Sequence, residues 1–277
     1  MTNNVKGFTD LKGENRKYVL RTLHSILAQE EIHALGVNAI LENSGSNPIK
    51  PCNSYNFPTT DFESAIALAD LFTGVVLGAL QDITEVFAKG GAAPVTRLLS
   101  SVIGQEGEQK GYFRRVQEHV PSETPFLTTA TRAFTFSVIQ NFFSDCPSLD
   151  EIKLHKYAAV KVAQPPSNKY TPGKNTTAVF IFPPKATDAG QCHKHYATYL
   201  NQQNLPVTVD LRPHDKLPHT PDKWLTYEAD FPYSDNLMNG LTLVAIGCIP
   251  GPFKDIHEVA NSVYWAPALI YLSPPGY

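Results

Sequence analysis

The chain changes its hydrophobic period near residue 150, and that change restricts the available folds more than any other feature of the sequence. Before it, long stretches repeat apolar residues at helical spacing. After it, short β-rich runs alternate with proline-containing turns. No repeat of fixed period runs through either part, and long helices between the later strands are missing, which disfavours a parallel α/β fold. The expected boundary lies near Cys146-Pro147-Ser148-Leu149, giving a helical domain over residues 1–150 and a β-rich domain over 151–277. Of the 277 residues, 42% are hydrophobic and 18% charged, which is enough apolar material for two cores and too little charge for a disordered chain.

Four helices fit the first part. The first is expected from about Asn15 to Glu42, with the stripe Val19, Leu23, Ile26, Leu27, Val37, Ile40 and Leu41. The second starts at Thr60, where Thr60 and Glu63 have the spacing of a capping box, and stops at Lys89-Gly90-Gly91. Asp70 is its single charge between Ile66 and Leu80, so it is expected to be the most buried. The third carries Pro94 in its first turn and ends near Val116, and the fourth covers about Thr128 to Phe143. Four such helices suggest a four-helix bundle, with the long link 43–59 as a crossover or flap. Strands are expected near 157–163, 177–182, 206–211, 224–231, 241–249 and 263–272, the apolar run Leu241–Ile249 being buried on both faces. Short strands between proline-rich turns point to a small antiparallel β-sandwich.

Candidate functional residues are those that break the helical stripes. Glu30 and His33 stand at i and i+3 where the first helix should be apolar, so one carboxylate and one imidazole point together into the bundle. Glu106 and Gln109 do the same in the third helix. Gln81, with Glu85 one turn on, and Gln140 are the contributions expected from helices two and four. A carboxylate-bridged di-metal bundle needs two Glu-x-x-His motifs and further carboxylates. Here the second histidine is missing, and Glu85 and Glu108 are needed to make up the anionic charge. Two divalent ions between two carboxylates would be under-neutralised, so no metal is favoured, although iron or manganese held by Glu30, His33, Glu106 and Glu85 is the runner-up. A Glu–His pair can equally be a satisfied hydrogen bond that fixes helix register.

The segments YVLRTLHSILAQEEIHAL, ALADLFTGVVLGALQDITEVFA and LLSSVIGQEGEQKGYFR resemble the ferritin-like family of fungal stress-response and late-sexual-development proteins, over about residues 15–145. The resemblance implies an α+β protein, a ferritin-like bundle followed by a β-rich domain. It also implies secretion, whereas the polar first fifteen residues show no apolar signal core, so the expectation here is a cytoplasmic protein, or a secreted one had the chain been trimmed. The missing histidine after Glu106 argues against iron oxidase or storage activity.

The remaining features are weaker. Cys192-His193-Lys194-His195 would place two imidazoles on one strand face, with no second cluster at ligand spacing. The four widely spaced cysteines are expected to be free, with Cys146 and Cys248 buried. Asn175-Thr176-Thr177 is a glycosylation sequon without meaning in an unsecreted chain. No G-x-S-x-G, G-x-G-x-x-G or P-loop is present, and no apolar run of membrane-spanning length is expected. The net charge of −3 gives no footprint for nucleic acid or an anionic membrane. The expected function is an enzyme of secondary metabolism acting on an apolar small molecule by isomerisation, cyclisation or a pericyclic step. Glu30 or Glu106 would be acid or base, His33 the shuttle, and Gln81 and Gln109 would orient a carbonyl. A metal-dependent oxidase and a non-catalytic stress or binding protein are the alternatives.

Overall fold

A computed structural model describes residues 13–122, 124–167, 175–184 and 192–272. Its three long helices are α1 (Gly13–Asn43), α2 (Phe62–Lys89) and α3 (Ala93–Val116). The reciprocal cap of α2 lies one residue later than the sequence suggests. Asp61 Oδ1 accepts the Ser64 N–H at 2.7 Å, while Ser64 Oγ accepts the Asp61 N–H at 3.2 Å. The helix ends where Gly91 turns to φ 74°, a left-handed conformation that a side chain would disfavour. By length and composition α2 is apolar enough to cross a membrane, which corrects the expectation that no such segment exists; core helices pass the same test.

The chain forms two compact units, each discontinuous in sequence: residues 1–73, 100–121 and 139–153 in one, and 74–99, 122–138 and 154–277 in the other. In the first, α1, the opening turns of α2 and the closing turns of α3 meet around Val19, Leu23, Phe62, Ile66 and Phe113. Leu27 and Val37, expected in the buried stripe of α1, are exposed. A short strand β1 (Ser54–Tyr55) pairs antiparallel with β2 (Phe143–Asp145), and a Cys52–Cys146 disulfide fastens the pair.

The expected fourth helix is reduced to α4 (Arg132–Ile139), eight residues. Thr131 stops it from starting earlier by accepting the Phe134 N–H at 3.1 Å. Upstream, the Thr128 hydroxyl donates to Leu241 O at 2.6 Å and accepts the Gln202 N–H at 2.8 Å, which ties this stretch to the second unit's sheet. A Cβ on Gly78 would come within 2.7 Å of Thr128 O, so the bare α-carbon is what admits the stretch beside α2. Downstream, Gln140–Phe142 tightens into a 3-10 turn and Phe143 enters β2.

The second unit is built on one antiparallel sheet of seven strands. These are β3 (Lys161–Gln164), β4 (Thr176–Phe182), β5 (Tyr196–Asn201), β6 (Val207–Pro213), β7 (Leu225–Phe231), β8 (Gly240–Gly247) and β9 (Val263–Leu272), with short helices α5 (Tyr233–Asn236) and α6 (Ile256–Ala260) between later strands. Their spatial order is β3-β4-β7-β6-β5-β8-β9. The edges approach each other through an Ala158–Trp265 bridge, with the Ala158 N–H on Tyr264 O and the Ala266 N–H on Ala158 O, both 3.1 Å, so the sheet is nearly closed like a barrel. Phe180, Phe182, Tyr199, Phe231, Ile246 and Trp265 belong to its core. β8 is buried at every position.

The fold expectation is therefore corrected. The chain is not a ferritin-like four-helix bundle followed by a β-sandwich. Three long helices lack a fourth of comparable length, and the strands form one sheet. The decisive strand is β5, absent from the sequence reading. It pairs with β6 on one side and β8 on the other, joining strands that would otherwise divide between two layers. The cysteine expectation is corrected as well: all four are paired, Cys52 with Cys146 and Cys192 with Cys248.

Candidate functional site

The segments Gln29-Glu30-Glu31-Ile32-His33 and Gln105-Glu106-Gly107-Glu108-Gln109 lie on α1 and α3 of the first unit. Each presents a glutamate and a second polar group one turn on. His33 Nδ1 stands 3.5 Å from Glu30 Oε1 and 3.6 Å from Glu106 Oε1. One potential ligand atom from each of the three residues lies within 4.8 Å of the others. Gln109 Nε2 donates to Glu30 Oε1 at 2.6 Å and to Gln105 Oε1 at 3.1 Å, and Gln105 Nε2 donates to Gln29 Oε1 at 2.7 Å. The structure thus brings Glu30, His33, Glu106 and Gln109 together. Gln29 and Gln105 complete a carboxamide chain that the sequence reading missed, although the repeated Gln-Glu pair in the two segments was its visible signal.

Burial is graded across the cluster. Glu106 and Gln109 are buried, whereas the side chains of His33 and Glu30 are 23% and 46% exposed. The site therefore has a closed wall on α3 and an open one on α1. Burial, followed by the charge of Glu30, pushes the Glu106 carboxyl from its ordinary 4.5 up to about 7. Lys110, one turn beyond Glu106, does not offset this. Its ammonium donates to Asp70 Oδ1 at 2.8 Å, in an ion pair only about a tenth exposed. His33 Nδ1 is buried and, among the described residues, has no hydrogen-bond partner.

Other predicted site residues are held elsewhere. Gln81 belongs to the second unit, where Thr129 Oγ1 and Gln203 Nε2 donate to its Oε1 at 3.0 and 2.9 Å. Glu85, also in the second unit, pairs with Lys89 and lies 3.5 Å from His257 Nε2. Gln81 and Glu85 are thus engaged with partners inside the second unit. Glu108 is exposed, and Gln140 is buried on the 3-10 turn. Cys192 is consumed by its disulfide, and His193 is exposed. His195 packs against Phe182, Tyr227 and Trp265, where burial lowers its pKa. Among the described residues of the first unit, Glu30, His33 and Glu106 are placed to hold a cation.

A cavity of about 600 Å³ lies on the adjoining flank of α1 in the same unit. Leu35, Ile49, Pro51, Tyr55, Phe143 and the Cys52–Cys146 disulfide line it, and Glu31, the neighbour of Glu30, stands in its wall. Asn38 pins that wall to α1, donating through Nδ2 to Ile49 O at 3.1 Å and accepting the Ile49 N–H at 3.0 Å. Compared with known proteins, the chain matches no family model, and no curated protein matches it.

Proposed function

We propose that the first unit carries an acid–base site that moves a proton on a small molecule with an apolar body, as in an isomerisation. The observation that carries this reading is the convergence of Glu30, His33 and Glu106 from two helices, with Glu106 buried and its pKa held at about 7. A carboxyl poised near neutrality gives and takes a proton at little cost. Glu106 is the acid, Glu30 on the open side the base, and His33 the relay between them. Gln109 orients Glu30 through their 2.6 Å hydrogen bond. The apolar body assigned to the substrate rests on the mainly apolar cavity beside Glu31, of small-molecule volume, which adjoins the cluster on α1 but is not lined by Glu30, His33 or Glu106.

The test uses a panel of apolar enolisable carbonyl compounds incubated with the protein in deuterium oxide, with deuterium uptake at carbon read by NMR. Uptake that is lost in Glu106→Gln and kept in the exposed-site control Glu108→Gln is expected. Absence of uptake across the panel, or uptake indifferent to Glu106, overturns the reading.

A second reading rests on a different observation. The 3.5 and 3.6 Å spacings around His33 Nδ1 exceed a hydrogen bond. They match the separation of neighbouring ligand atoms around a tetrahedral cation with bonds of about 2.1 Å. Glu30, His33 and Glu106 would hold such an ion, iron or manganese included, and it would supply Lewis acidity. Elemental analysis of protein purified without chelators separates the two. Near-stoichiometric metal that disappears in Glu30→Ala replaces the acid–base reading.

A further inference from the structure

The two disulfides and the Asn175 sequon bear on one another. Among the described residues no cysteine is free. Cys52–Cys146 spans 94 residues and fastens the β1–β2 pair, while Cys192–Cys248 spans 56 and links the segment before β5 to the end of β8. Each therefore joins segments that pair in a sheet yet are distant in the chain, the position of a structural rather than a transient bond. Structural disulfides form and persist where the surroundings are oxidising, and cytosolic thiols are kept reduced.

In the secretory compartment of a eukaryotic cell, an oxidising environment of this kind, a folding chain also meets the enzyme that glycosylates asparagine. The sequence holds a single Asn-x-Ser/Thr motif with x other than proline, Asn175-Thr176-Thr177. Its placement suits modification. Asn175 is exposed immediately before β4, and its Nδ2 donates to the exposed Asp235 at 3.1 Å. Thr177, the hydroxyl residue of the motif, is exposed too, while Thr176 between them is half-buried. Strand alternation thus turns both recognised residues outward.

We propose that the protein matures in an oxidising secretory compartment and carries an N-linked glycan on Asn175. In that step Asn175 Nδ2 forms a bond to the anomeric carbon of an oligosaccharide held on a lipid pyrophosphate. The bond from that carbon to the pyrophosphate oxygen breaks, the lipid pyrophosphate leaves with the electron pair, and one amide proton passes to the transferase. The second amide hydrogen is retained, so the contact to Asp235 is compatible with the glycan.

The protein isolated from the cells that make it is digested without reduction and mapped by mass spectrometry. The expected result is two intact disulfide-linked peptide pairs and a glycan on the Asn175 peptide. Peptide N-glycosidase in heavy-oxygen water then releases the glycan, leaving a labelled aspartate. Asn175→Gln and Thr177→Ala, both at exposed positions, each abolish the glycan with unchanged circular dichroism, and Thr177→Ser restores it. An unmodified Asn175 in a protein whose disulfides are formed overturns the proposal. So do four free thiols in the native protein.

Discussion

Each unit contains a cluster of two carboxylates and an imidazole, and in each the lead residues sit three apart on a long helix. In the first, Glu30 and His33 of α1 meet Glu106. In the second, Asp82 and Glu85 of α2 face His257 Nε2 at 3.7 and 3.5 Å. Both clusters also contain a Glu-x-x-x-Lys pair, Glu106 with Lys110 and Glu85 with Lys89. Their electrostatics are nevertheless opposite. Lys89 turns back to Glu85, and that hydrogen bond is the main reason the Glu85 pKa is lowered. Arg132 Nε holds buried Asp82 at 2.9 Å. Lys110 instead goes to Asp70 on α2, so Glu106 keeps its burial and the charge of Glu30, and its pKa rises. Burial together with the placement of the cation, not the residue types, decides whether a carboxylate here is a fixed charge or a proton store.

The largest effect is expected from disturbing that placement. Asp70→Asn removes the partner of Lys110 within a buried pair, and breaking such a pair costs about 3–5 kcal/mol of stability. It also removes the carboxylate that draws the Lys110 ammonium away from Glu106, one helical turn away. Urea denaturation should show the loss, and carbon-13 carboxyl NMR should show the Glu106 titration falling below about 7. A Glu106 titration unmoved by this change would mean that the direction of Lys110 is irrelevant to the contrast.

Glu106→Gln comes next. Its folded pKa of about 7 exceeds the ordinary 4.5, so the folded state binds more protons between those values. The stability this group contributes is fully present below about pH 4.5 and is lost as pH rises through 7. The shift corresponds to about 3 kcal/mol, so the variant should be more stable than the parent at pH 8 by that order, with the difference vanishing toward pH 4.5. Paired urea titrations across this range provide the comparison. A difference that does not change with pH would show that Glu106 keeps its usual carboxyl behaviour.

Much of this contrast was legible in the sequence, because it depends on period. Glu30 with His33 and Glu106 with Gln109 were visible as breaks in helical stripes, and α1, α2 and α3 followed from the same stripes. What the sequence does not contain is the partner across space. Gln81 breaks the α2 pattern just as Glu30 breaks that of α1. Its carboxamide, however, is taken by Thr129 and by Gln203, which lies 122 residues away. The apolar period of residues 128–143 reads as one helix, yet the Thr128 bonds to Leu241 and Gln202 hold its start outside the helix, and its end passes into β2 next to the disulfide at Cys146. β5 is hard to read in the sequence because Tyr196–Asn201 directly follows the polar run Cys192-His193-Lys194-His195, which has the composition of a ligand set, and without β5 one sheet looks like two.

A smaller effect separates the two causes acting on Glu106. Burial is the first and Glu30 the second, so Glu30→Gln should lower the Glu106 pKa only part of the way toward its ordinary value. The same NMR titration reads it. A complete return would make the carboxylate pair, rather than the closed α3 wall, the origin of the shift.

The smallest effect belongs to the exposed partner in the second cluster. Lys89→Ala removes the first cause of the lowered Glu85 pKa, which should rise toward the usual carboxyl range while His257 still holds it down in part. Both side chains are largely in water, where ordering two long chains offsets most of the attraction between their charges. The urea midpoint should therefore stay where it is, at low and at high salt alike. Glu85 and Glu106 then differ in kind: the first can lose its cation with little consequence for the fold, while the second is raised by its burial and by the charge of Glu30, with the neighbouring cation held by Asp70. A clear, salt-sensitive loss of stability in Lys89→Ala would place the second cluster under the same buried electrostatics as the first and remove that distinction.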